Sequence, residues 1–125
     1  MKVSVYNNKN LAGTPVFERN DADINFNWLL DGPGNGVGPD NFSIKWTRST
    51  YFAAGTYRFF ATVDDGLRLY VDDKLVIDAW RVQPATNYFG DLRLSPGNHT
   101  LRVEYYEESG SASVQLSWQR WQRGG

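Results

Sequence analysis

Apolar residues recur at every second position along most of this chain. Phe42, Ile44 and Trp46 share one side of a segment, with Ser43 and Lys45 opposite. Tyr57, Phe59, Ala61 and Val63 alternate with Arg58, Phe60 and Thr62. Leu67, Leu69 and Val71 alternate with Arg68 and Tyr70. Leu101, Val103 and Tyr105 alternate with Thr100, Arg102 and Glu104, and Val114, Leu116 and Trp118 with Gln115 and Ser117. A period of two belongs to extended strands, because successive side chains point to opposite faces. One apolar and one polar face per strand is the mark of antiparallel sheets with one wet side. Turn signals separate the runs: Ala54-Gly55, Asp64-Asp65-Gly66, Asp72-Asp73, Ser95-Pro96-Gly97-Asn98 and Ser109-Gly110. This pattern predicts an all-β fold, a two-sheet antiparallel β-sandwich with little or no helix.

Composition narrows the function. The 125 residues suit a single domain, 1–125, with a real core. Its bare end at Arg123-Gly124-Gly125 suggests excision from a larger protein. A net charge of −1 leaves no footprint for nucleic acid or an anionic membrane surface. No apolar run approaches the roughly 18 residues of a membrane span. Cysteine is absent and His99 is the single histidine, which excludes zinc-thiolate and multi-histidine centres and leaves little for nucleophilic acyl transfer. His99, beside a turn, reads as a surface residue.

Two Asp-Asp pairs stand out in Val63–Asp78. Asp72-Asp73 lies between two short apolar runs, Leu67–Val71 and Leu75–Ile77, and reads as a two-residue hairpin turn with positive φ. Asp64-Asp65-Gly66 ends a strand. It reads either as an exposed turn or as half of a calcium site, since crowded carboxylates repel unless a cation answers them. Neighbouring strand side chains point apart, so both aspartates reach one ion only if the chain bends sharply or their peptide is cis. The segment Tyr106–Ser113 carries Glu107, Glu108, hydroxyls and free carbonyls. It is either a solvated hairpin loop or the second half of that site.

Other features carry less. The loop Leu30–Asn41 has Gly32, Gly34, Gly36 and Gly38, but no Gly-Lys-Ser/Thr follows, so it is no phosphate loop. Asn41-Phe42-Ser43 and Asn98-His99-Thr100 match the glycosylation pattern and receive no role. Trp46 and Trp118 fall on the apolar sides of their strands and are expected in the core. Trp28 and Trp80 are expected at its edges. Trp121 either packs back onto the sandwich or offers an indole to a sugar or a neighbouring domain.

Taken in order, several segments resemble the PA-fourteen (PA14) family, the domain type of anthrax protective antigen. They are Val5-Tyr6, Ile24–Trp28, Phe42–Trp46, Gly55–Phe59, Asp64–Trp80, Pro96–Leu101, Glu104–Tyr106 and Leu116–Trp118. The resemblance implies a β-sandwich of this size attached to larger secreted or surface proteins. It also implies that Asp64 and Asp65, joined by a cis peptide, bind calcium, which chelates sugar hydroxyls. Further ligands would come from Glu108, Gly110 and Ala112 in the loop before the last strand.

The resulting expectation is a non-catalytic, calcium-dependent carbohydrate-binding module of lectin or adhesin type, extracellular or at a cell surface. Asp64, Asp65, Glu108, Gly110 and Ala112 would hold calcium. Asp64, Asp65, Arg68, Trp80, Tyr106 and Glu107 would face the sugar. The alternative is a structural or interdomain module of a secreted glycosidase, protease or toxin. A glycosidase in its own right ranks below both, because acid and nucleophile need opposed positions at least about 5 Å apart.

Overall fold

The computed structural model describes residues 1–21, 24–29, 40–108, 110 and 112–121, without the side chains of 27–29 and 121. Ten strands run in the order β1 (Lys2–Tyr6), β2 (Phe17–Asn20), β3 (Asn25–Leu29), β4 (Phe42–Phe52), β5 (Gly55–Asp64), β6 (Gly66–Val71), β7 (Lys74–Ala79), β8 (Thr86–Leu94), β9 (Gly97–Glu107) and β10 (Ala112–Trp121). Among the described residues there is no helix. One sheet has the order β2-β1-β4-β9-β6-β7 and the other β3-β10-β5-β8, with every pairing antiparallel. The fold is therefore the expected two-sheet sandwich.

Register converts the alternation into a core. Val5, Ile44, Tyr105, Leu67 and Ala79 form one row across the larger sheet, and Val3, Trp46, Val103, Leu69 and Ile77 form the next. Every member of both rows is buried. Phe59, Ala61, Val63 and Val114 answer them from the smaller sheet. Each large aliphatic side chain removed from water in this way stabilises the fold by roughly 1.5–3 kcal/mol. The Trp46 indole N–H donates to Asp21 Oδ2 at 3.1 Å, so its polar handle is not stranded.

The Asp72-Asp73 turn has φ of 50° and 65°, the positive pair that a two-residue hairpin demands. Asp72 Oδ1 accepts the Thr100 amide at 2.9 Å, and its other oxygen meets His99 Nδ1. His99 Nε2 lies 2.8 Å from the Ser95 carbonyl oxygen. The expectation that His99 is merely a surface residue is thus corrected: its ring ties two turns together.

Other differences concern strand extent. β4 continues to Phe52, and β9 and β10 advance into the segment expected as the loop 106–113. β8 escaped notice because its inward row contains Gly90 and its outward row Phe89, which blurs the alternation. Trp46 is fully buried, whereas Trp118 is partly buried against the core and Trp80 half-buried. The loop glycines and the side chains of Trp28 and Trp121 lie outside the described residues.

Gly90 closes one flank of the sandwich. A Cβ at this position would sit 2.4 Å from the Val76 carbonyl oxygen on β7. Backbone cannot swing away as a side-chain tip can, so β8 and β7 must separate to admit a methyl. Gly90→Ala should destabilise the domain by about 1–3 kcal/mol, read as a lower midpoint in urea with an unchanged slope.

Candidate metal centre

β5 ends at Asp64, and Gly66 opens β6 in the other sheet. The Asp64–Asp65 peptide is cis. β9 carries its inward row, Leu101, Val103 and Tyr105, one step further to Glu107. One ligand oxygen from each of Asp64, Asp65 and Glu107 can be chosen so that all lie within 4.8 Å of one another. Asp65 is 2% exposed and Glu107 is fully buried.

Asp65 is held from both sides. Its Oδ2 accepts the Glu108 amide at 2.9 Å and its Oδ1 the Gln83 amide at 3.3 Å. The Gln83 side chain donates through Nε2 to the carbonyls of Asp65 at 2.9 Å and Ala79 at 3.2 Å, while its Oε1 accepts the Tyr88 hydroxyl. Beneath the pair, the Tyr105 hydroxyl donates to the Asp64 carbonyl. Both Glu107 carboxylate oxygens, by contrast, are buried with no hydrogen-bond partner among the described residues.

Such an arrangement suppresses ionisation when no cation is present. Burial first, then proton sharing with Asp65 and the Asp65 charge, lifts Asp64 to about 6. Burial, followed by the charges of Asp65 and Asp64, lifts Glu107 to about 9. Burial and the surrounding carboxylates also raise the Tyr105 and Tyr106 phenols. A hard, oxygen-seeking divalent cation fits this donor set: it would satisfy the orphaned Glu107 oxygens and cancel the repulsion.

The other predicted residues divide. The Glu108 amide touches Asp65, but its carboxylate pairs with Lys9 at 3.4 Å. Of the three carboxylates brought together, the third is therefore Glu107. Gly110 is exposed, with φ of +84°, and Ala112 is buried at the start of β10. Ser109 and Ser111 lie outside the described residues. Tyr106 covers Gly66, where a Cβ would fall 2.0 Å from its Cε1. Its ring meets Trp80 at 4.6 Å between centroids, and the Arg68 guanidinium lies 3.9 Å from the Trp80 ring centroid. Arg68 is also paired with Glu104 at 2.9 Å. Arg68, Trp80 and Tyr106 thus form one cluster beside the acidic centre, with the two rings tilted at 56°. Gln83 was not singled out from sequence, where no periodicity marks it. Glu107 is expected from sequence in the segment that could complete the calcium site and as a sugar contact, and the parity of β9 points it inward with Tyr105.

A two-sheet antiparallel sandwich with an acidic cluster where the sheets meet has counterparts among known proteins. The PA14 domain family model matches residues 1–125, and the chain belongs to that family. It is 36% identical over 115 residues to the anti-sigma-I factor RsgI3 of Acetivibrio thermocellus, covering 90% of this chain and 18% of that protein. The chain thus spans under a fifth of this curated relative. Among solved structures, an anti-sigma factor domain-containing protein superposes with a TM-score of 0.90 at 33% identity, over 96% of this chain and 42% of the other. A PA14 sugar-binding domain from an RTX adhesin has the same fold, with a TM-score of 0.79 at 20% identity over 95% of this chain and 88% of that one.

The raised carboxyls make a pH prediction with a definite sign. A group whose folded pKa lies above its unfolded value stabilises fully below the unfolded value and loses that contribution as pH rises through the folded one. In chelator, the melting temperature should therefore fall as pH rises from about 5 through 6 and on towards 9. Added calcium should restore the loss most strongly at the alkaline end. A profile that rises over this range in chelator contradicts the assignment.

Proposed function

We propose that this domain is a non-catalytic, calcium-dependent carbohydrate-binding module that works outside the cell. The observation that carries the reading is the buried Glu107 carboxylate, without a hydrogen-bond partner among the described residues and gathered with Asp64 and Asp65. Asp64, Asp65 and Glu107 would hold the ion, with Gly110 and Ala112 at the neighbouring strand end as candidate carbonyl donors. Bound calcium supplies open coordination positions that two adjacent hydroxyls of a sugar can fill. The protein's own part is to fix that centre. Gln83 and the Glu108 amide hold Asp65 in place, and Tyr105 anchors the chain at Asp64.

Selectivity belongs to Trp80 and Arg68, backed by the buried Tyr106 ring. Aromatic faces accept the C–H side of a sugar ring, and the guanidinium offers donors to its oxygens. The adhesin domain of like fold, described as sugar-binding, supports this choice of ligand class. A shallow site of this kind binds single sugars weakly, and strength comes from several copies on one surface.

A glycan array with and without chelator tests the reading. The domain should bind a subset of glycans in calcium and lose those signals in chelator. Asp65→Ala should remove the same signals, with its strand content unchanged by circular dichroism. Calcium-dependent signals that survive in Asp65→Ala place the site elsewhere. Complete silence on the array favours an interdomain role.

A further inference from the structure

The outer face of the smaller sheet carries two adjacent register rows of contrasting chemistry. Asn25, Gln115, Thr62 and Asn87 stand side by side across β3, β10, β5 and β8. The next row places Phe60 beside Phe89, with Ser117 on the other side. Rows two residues apart along a strand lie roughly 7 Å from one another. Phe60 and Phe89 are 39% and 62% exposed, an unusual use of phenylalanine on a sheet whose inner face already supplies the core. A cleft of about 350 Å³ opens here, bounded by Asn25, Gln115, Thr62 and Phe60. Among the described residues neither row contains a charge. The nearest ion pair, Arg58 with Asp91, is closed on itself by two hydrogen bonds of 2.8 and 3.0 Å, and Arg58 lies over the Phe89 ring.

We propose that this face is a second, metal-independent binding surface for a neutral linear polysaccharide. A sugar chain is the ligand that needs both rows at once. Its C–H faces stack on phenyl rings, and its hydroxyls donate to and accept from amides. Thr62 already donates to Asn87 Oδ1 at 2.6 Å, which holds the exposed Asn87 amide in place. A nucleic acid or an acidic polysaccharide would require unpaired cations along the rows, and these carry none. A protein partner would bury the amide row and have to answer each of its groups, at a cost that a solvated glycan avoids. The open cleft, with Phe89 exposed beside it, suits a chain laid across the strands rather than a single sugar end. Along β5, Phe60 and Thr62 share the parity of Asp64, so the strip lies in line with the acidic centre without using it.

Affinity electrophoresis separates this surface from the metal site. The domain is run in chelator through gels containing xylan, hydroxyethyl cellulose or galactomannan, with polygalacturonate as the charged control. The domain should be retarded by at least one neutral polymer, and Asp65→Ala should be retarded equally. Phe89→Ala and Gln115→Ala should each weaken retardation at least ten-fold while melting like the parent, since both side chains are exposed. No retardation by any neutral polymer in chelator overturns the proposal. So does retardation that both variants retain, or a Phe89→Ala change confined to the state of self-association. None of these outcomes bears on calcium binding at Asp64 and Asp65.

Discussion

Three carboxylates share one small space where the two sheets meet, and the site depends on how their charge is answered. At separations near 5 Å, each pair of negative charges costs on the order of 3 kcal/mol even in a well-screened protein environment. Asp65 has amide partners, and Asp64 keeps some access to water. Glu107 has neither. Its placement makes little sense as a device for stability, because an apolar side chain at the end of that inward row would cost nothing. As a ligand it is well placed, because it is already stripped of water and aimed at the aspartate pair.

The fold supplies what this centre needs from elements far apart in sequence. β5 delivers Asp64 from one sheet, and β6 begins in the other immediately after Asp65. β9, at the middle of the larger sheet, brings Glu107 along the same face as Tyr105. The segment after β7 then folds back so that Gln83 grips Asp65 by two routes. Strands packed within the sandwich carry these carboxylates, and the start of β10 completes the neighbourhood. At Gly66 and Gly90 a Cβ would fall within 2.4 Å of the Tyr106 ring and the Val76 carbonyl oxygen, so both positions hold the packing close.

Much of this was legible beforehand. Alternation at Phe42–Trp46, Tyr57–Val63, Leu67–Val71 and His99–Tyr105 was enough to predict the sandwich, because burial on one face is a local consequence of a period of two. The Asp72-Asp73 turn was legible for the same local reason. β8 was not, since an inward glycine and an outward phenylalanine mimic the opposite phase. The aspartate pair could be picked out by its crowding. The third carboxylate was harder: resemblance pointed to Glu108, whereas the structure gathers Glu107 and turns Glu108 to Lys9. Extending the β9 parity by one step would have found it. Gln83 had no local signal, because its role comes from a contact across 18 residues of chain.

Calorimetric titration of calcium into chelator-stripped protein, run in parallel with Glu107→Gln, tests the central claim most directly. The account predicts saturable binding of one ion by the parent domain and a loss of at least ten-fold in affinity in the variant, which keeps the size of the side chain but not its charge. No heat from the parent, or equal binding by Glu107→Gln, would contradict it.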